Sequence, residues 1–192
     1  MSRWLGVAPL VLLSLLVFGC RRQASQAPAD KAGNLRERAE ATAGDVRRHA
    51  EATGGFSFVP PEGWQIRDFP GRKFKVAVGP AAEGFAPNIN VVDESFGGPL
   101  EDYVKANLAA LPQMLKKYRL LQKDNFVTTA GQQGVRAIVE DEQGNRLLRQ
   151  TFYFFGKEST MFTITCTALV DGGEKFDSTF ETSMKTFRFD SN

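Results

Sequence analysis

Residues 134–169 constrain this chain more than any other stretch. Three apolar-rich runs, residues 134–141, 146–155 and 160–169, follow one another across gaps that carry Gly144 and Gly156. Period-two runs joined by short glycine-bearing gaps predict an antiparallel meander. In the last run Phe162, Ile164, Cys166 and Ala168 share one face, and Thr163, Thr165 and Thr167 share the other. In the middle run Phe152 and Phe154 oppose Tyr153 and Phe155, so neither face is polar. A strand apolar on both sides belongs to a sheet covered on both sides. The fold class that follows is α+β, an antiparallel β-sheet with helices packed on it.

The flanking sequence supplies the covers. Pro99 suits a first helical position, Glu101 and Asp102 fall in a first turn, and Lys116 and Lys117 in a last turn, as the helix dipole favours. Leu100, Val104, Leu108, Leu111, Leu115 and Tyr118 make its apolar stripe, and Pro112 inside it predicts a kink or break near Ala109. A second helix begins at a cap on Asp171 and buries Phe176, Phe180, Met184 and Phe187. Earlier strands are expected at residues 56–59, 72–78 and 88–93, an extended segment at 118–127, and a short closing strand at 187–189. Trp64, after the turn at Pro60-Pro61-Glu62-Gly63, is expected to pack back on a core rich in the 16 phenylalanines.

Upstream, the character changes. Residues 35–53 place Leu35, Ala39, Thr42, Ala43, Val46 and Ala50 at helical spacing, with Asn34 as a cap and Gly54-Gly55 as a stop. They read as a polar spacer helix, with docking of its thin stripe on the domain as the sharper alternative. His49, the only histidine, falls on that spacer and has no sequence partners for catalysis. Residues 21–31, rich in Ala, Gln, Ser and Pro, read as a flexible tether.

Residues 4–18 are almost wholly apolar, behind a single Arg3. Crossing a bilayer takes about 20 such residues, so the run reads as a secretory signal. Its end, Val17-Phe18-Gly19-Cys20, resembles the bacterial lipoprotein lipobox, with Phe18 where a small residue is usual. The resemblance implies removal of residues 1–19 and lipidation of Cys20 by a diacylglyceryl group, with acylation of the new terminus. Two or more chains make a stable anchor where one is marginal. Arg21 stands where an aspartate would imply inner-membrane retention, which favours the outer membrane. The organisation expected is a signal at 1–19, a lipidated tether and spacer at 20–54, and one domain at 55–192.

The order of elements, with the Pro61-Glu62-Gly63-Trp64 turn, resembles the PsbP-like superfamily, DcrB- and LpqN-like lipoproteins included. The resemblance covers residues 56–190. It implies an α/β/α sandwich and a largely non-enzymatic role in binding other proteins, and it carries no shared functional residue.

The chemistry is quiet. Net charge is +2 with signs interspersed, which excludes a dedicated nucleic-acid face. With Cys20 lipidated, Cys166 has no partner for a disulfide, and its apolar face reads as structural rather than catalytic. Asp93-Glu94 and Glu140-Asp141-Glu142 lack the spaced ligands of a calcium loop and read as solvated strand ends. Ser57, Ser95 and Ser159 lie in no nucleophile motif. No catalytic residue, cofactor or metal is expected. The leading expectation is a non-catalytic, lipid-anchored, periplasm-facing envelope protein with a protein partner, touched through the loop aromatics Phe69 and Phe85. The alternative is a carrier or sensor of an apolar small molecule, and a hydrolase stands well behind both.

Overall fold

The computed structural model describes residues 48–190. Its strands are β1 His49–Glu51, β2 Phe56–Phe58, β3 Gln65–Arg67, β4 Val76–Val78, β5 Asn88–Ser95, β6 Lys116–Val127, β7 Gln133–Gln143, β8 Arg146–Lys157, β9 Thr160–Leu169 and β10 Arg188–Phe189. The helices are α1, Leu100–Met114, and α2, Gly173–Lys185.

The meander forms as its pattern requires. In β7–β8 the register closes at Gln143↔Arg146, leaving Gly144-Asn145 as a two-residue turn, with Gly144 at a φ of 64°. All pairs in the large sheet are antiparallel, in the order β3-β4-β5-β9-β8-β7-β6. The chain leaves β5 on one side of the meander and enters β6 at the far edge. α1 spans that gap, so it lies across one face of the sheet.

Each face carries its own core. On the α1 side, Phe152 and Phe154 of β8, Ala137 and Val139 of β7 and Met161 pack against Tyr103, Val104 and Leu111. On the other side, Tyr153, Phe155, Ile164, Cys166 and Ala168 pack against Phe180, Met184 and Phe187. Phe56 and Phe58 close that second core from a small sheet ordered β1-β2-β10. The layers make the α/β/α sandwich. The threonine face of β9 turns inward as well: Thr163 meets the Tyr103 hydroxyl at 3.0 Å, and Thr167 accepts from the Gln150 amide.

Several expectations need correction. The spacer helix does not run to residue 53, because His49–Glu51 is a strand paired to β2. Gly54-Gly55 is not a helix stop but the hairpin turn, where both amides donate to the Glu51 carbonyl. Phe56 and Phe58 are buried in β2, and a central strand needs a neighbour on each side; that requirement outweighs a thin alanine stripe. Residues 35–47 lie outside the described residues. Pro112 does not break α1, since it falls in the last turn and Leu115 still donates to Leu111. Lys116 and Lys117 open β6 instead of closing the helix, because Leu115 is already extended. Gly172, at a φ of 80°, and not Asp171 stands at the start of α2, without a side-chain cap. The strand expected at 72–78 is confined to Val76–Val78, and β3 adds a pairing that the sequence pattern did not announce.

Trp64 does turn back, packing its ring on Phe176 and Phe180 at centroid distances of 6.4 and 6.0 Å. A side chain on Gly79 would sit 2.7 Å from that indole, so the close approach requires glycine.

Two arginines lock α2 to the sheet. Arg149 on β8 donates to Asp177 of α2 at 2.7 Å and to Glu140 of β7 at 3.1 Å. Arg136 on β7 binds Asp124 of β6 and Glu181 of α2, each at 2.8 Å. Asp177 and Glu181 stand one helical turn apart, so both clamps grip one helix face. Arg149→Ala is expected to lower unfolding free energy by about 1–2 kcal/mol, because it strips two carboxylates of a half-buried partner. Urea melts of Arg149→Ala, Asp177→Ala and the double variant read the coupling. Purely additive losses would show that the clamp contributes nothing.

Candidate functional site

The residues singled out from sequence are dispersed. Cys20 lies outside the described residues. Phe85 is 7% exposed, which removes it as an exposed contact. The loop folds back through paired amide–carbonyl bonds between Ala82 and Phe85, and Arg146 stacks over the ring at 6.0 Å. Phe69 is half-buried, in a turn where its carbonyl accepts from Arg72. Cys166 is fully buried, and burial pushes its thiol pKa up, away from the thiolate. His49 sits edge-on to Phe58 in β1, and burial lowers its pKa.

The acidic clusters are held in structural pairs with one exception. Asp93 binds Lys73, Glu94 accepts from Tyr103, Glu140 binds Arg119 and Arg149, and Glu142 binds Lys117. The serines are equally occupied or exposed: Ser57 donates to Asp190 at 3.0 Å, while Ser95 and Ser159 face solvent. Among the described residues no three His, Cys, Asp or Glu side chains gather to hold a metal.

Asp141 is the exception, and reading it as part of a solvated strand end was wrong. It is 1% exposed, and neither carboxylate oxygen has a hydrogen-bond partner in the protein. Along β7, Ala137, Val139, Asp141 and Gln143 alternate onto the face under α1, while Glu140 and Glu142 take the opposite face, the side of Arg149 and α2. Burial raises its pKa to about 6, and Gln143 works against that shift. The Gln143 Oε1 is also unpartnered. The signal was present in the sequence, since the parity of the strand places residue 141 with 137 and 139.

A surface that the loop aromatics did not suggest lies at the edge of the sheet. Among the described residues β6 pairs only with β7, and no strand lies on its other side. Bulges between Lys116 and Arg119 and between Leu120 and Gln122 break its alternation. Leu120 and Leu121 are 46% and 43% exposed, with Val127 further along and Met114 at the end of α1 beside them. Lys116 and Lys123 are exposed on the same strand.

No family profile matches the sequence, and no curated relative matches it. Solved structures do match the fold. A cyanobacterial PsbP, CyanoP of Synechocystis sp. PCC 6803, aligns at 16% identity over 74% of this chain and 91% of its own, with a TM-score of 0.54. LpqN of Mycobacterium tuberculosis, involved in cell envelope biogenesis, aligns at 11% identity over 71% of this chain and 83% of its own, with a TM-score of 0.55. The Ran-binding protein Mog1p of Saccharomyces cerevisiae aligns at 13% identity over 74% of this chain and 94% of its own, with a TM-score of 0.52. The chain has the PsbP-like α+β fold.

Proposed function

We propose that this chain is a lipid-anchored protein of the bacterial cell envelope whose domain is a non-catalytic interaction module. The observation that carries the reading is the β6 edge. Four of the five large apolar side chains exposed among the described residues, Met114, Leu120, Leu121 and Val127, lie on or beside one edge strand. An open strand edge takes up an extended segment through its free amides and carbonyls. The exposed Lys116 and Lys123 fit an acidic segment with apolar residues at its centre. The carboxylates of the acidic clusters, Asp141 apart, are by contrast committed to pairs that hold helices and strands in place.

One fold hosts unrelated functions, so the reading is carried by the β6 edge and not by the fold. Among the matched structures one is of a protein involved in cell envelope biogenesis and one of a Ran-binding protein. The anchor at Cys20 rests on the lipobox pattern, and its place in the outer membrane on Arg21. No helix among the described residues is long and apolar enough to cross a membrane. The carrier alternative loses ground because the phenylalanines fill the cores against one another: Phe155 stacks on Phe187 at 4.7 Å, and Phe152 on Phe154 at 6.1 Å.

A photoreactive residue placed at Leu121 in the full-length chain, in living cells, tests the reading. A discrete adduct with one envelope protein is expected there and not from the same residue at Lys175 on α2. Identical patterns from both positions would remove the β6 edge as the contact.

A further inference from the structure

A groove runs beside α2, walled on one side by Val59, Pro60 and Pro61 and on the other by Ser178, Thr182 and Thr186, with a volume of about 370 Å³. Its floor is stitched to the helix: the Val59 amide donates to Thr186 Oγ1 at 2.8 Å, and Ser183 donates to the Val59 carbonyl at 2.6 Å. The chain arrives at this groove. Arg48 donates to the Thr186 carbonyl at 3.0 Å, at the groove's end. The β1–β2 register pairs His49 with Phe58, so one step back sets Arg48 beside Val59.

We propose that residues 35–47 dock in this groove, against α2 of the same chain. The sequence just upstream of Arg48 has the complementary shape. Its helical stripe of Ala39, Thr42, Ala43 and Val46 is made of small side chains, and the facing wall of hydroxyl residues is equally small, so two helices can approach closely there. Prolines on the opposite wall offer rigid apolar surface to Val46. Glu62, at the groove's rim, offers a carboxylate to a segment whose sequence carries Arg38 and Arg47. Docking draws the leash between the lipid and the domain in to residues 21–34. This consequence for reach rests on the anchor proposed at Cys20; the docking itself does not.

The test uses the full chain carrying Cys20→Ser, so that its outcome is independent of lipidation. Single cysteines at residues 38–47 are each combined with Thr182→Cys under mild oxidation. The buried Cys166 does not compete. Disulfides need Cα atoms within about 7 Å, so cysteines at Ala43 and Val46, neighbours on the stripe, are expected to close within one chain. Their yields should exceed by about tenfold those of the same positions paired with Lys105→Cys on α1, because docking raises the local concentration. Val46→Asp should bring the Ala43 yield down to that control. A flat profile along residues 38–47, or closure only between two chains, overturns the proposal. A membrane-anchoring defect without any change in this profile would fault the anchor and leave the docking standing.

Discussion

Replacing Phe187 by alanine is expected to cost about 3–5 kcal/mol of stability and to lower Tm by about 10–15 °C for a domain of this size. The residue is fully buried where the α2 layer, the large sheet and the small sheet meet. Its ring stacks on Phe155 of β8 at 4.7 Å, on Phe56 of β2 at 5.7 Å, and meets Phe189 of β10 at 5.2 Å. Truncation leaves a void that rings from three strands in two sheets cannot all relax into. The loss should also free β10, whose two residues pair with β2 immediately after Phe187. Urea unfolding followed by far-UV circular dichroism measures the effect. Leu120→Ala, at an exposed edge, should stay within about 0.5 kcal/mol of the parent. Equal losses at the two positions would contradict the placement of the second core.

Asp141→Asn is expected to stabilise the protein at pH 7.5 by about 1–2 kcal/mol. The folded-state pKa of Asp141 stands near 6, above its ordinary value of 3.8, because burial penalises the ionised form more than the Gln143 side chain favours it. The folded state therefore holds this proton more tightly than the unfolded one. The corresponding stability is fully present below pH 3.8 and is lost as pH rises through about 6. When Asp141 is ionised, its two oxygens and the Gln143 Oε1 are all acceptors. One proton converts the carboxyl into a donor, and asparagine supplies an equivalent N–H at every pH. Stability measured from pH 4 to 8 should thus fall through the window near 6 in the parent and run flatter in Asp141→Asn. A variant less stable than the parent at pH 7.5 would show that the carboxylate has a compensating partner.

The sequence made the centre of this fold legible and its margins obscure, for physical reasons. Phe152 to Phe155 carry apolar side chains on both faces of β8, so the two covered sides could be read from four adjacent residues. The stripe Phe176, Phe180, Met184 and Phe187 was visible because one helix repeats its contact every turn. β1 was not, because three residues give no period; they become a strand through Phe56–Phe58 and through Thr186, which is distant in sequence. Phe85 looked exposed because a Gly- and Pro-rich loop carries no mark of which surface it folds over, and Arg146 decides that from β8. Asp141 was hidden by its neighbours Glu140 and Glu142, although strand parity separates it from both. The β6 edge escaped notice because bulges break the alternation by which exposed leucines would be recognised.

These features describe a domain whose rings and paired charges serve packing, and the proposed function adds an anchor at Cys20 that would hold it to a membrane. The intact mass of the mature protein extracted from cell membranes tests that most directly. A chain beginning at Cys20 and carrying a diacylglyceryl group with an acylated amino terminus is the predicted result. A free thiol on Cys20, or a chain that still begins at Met1, would contradict it.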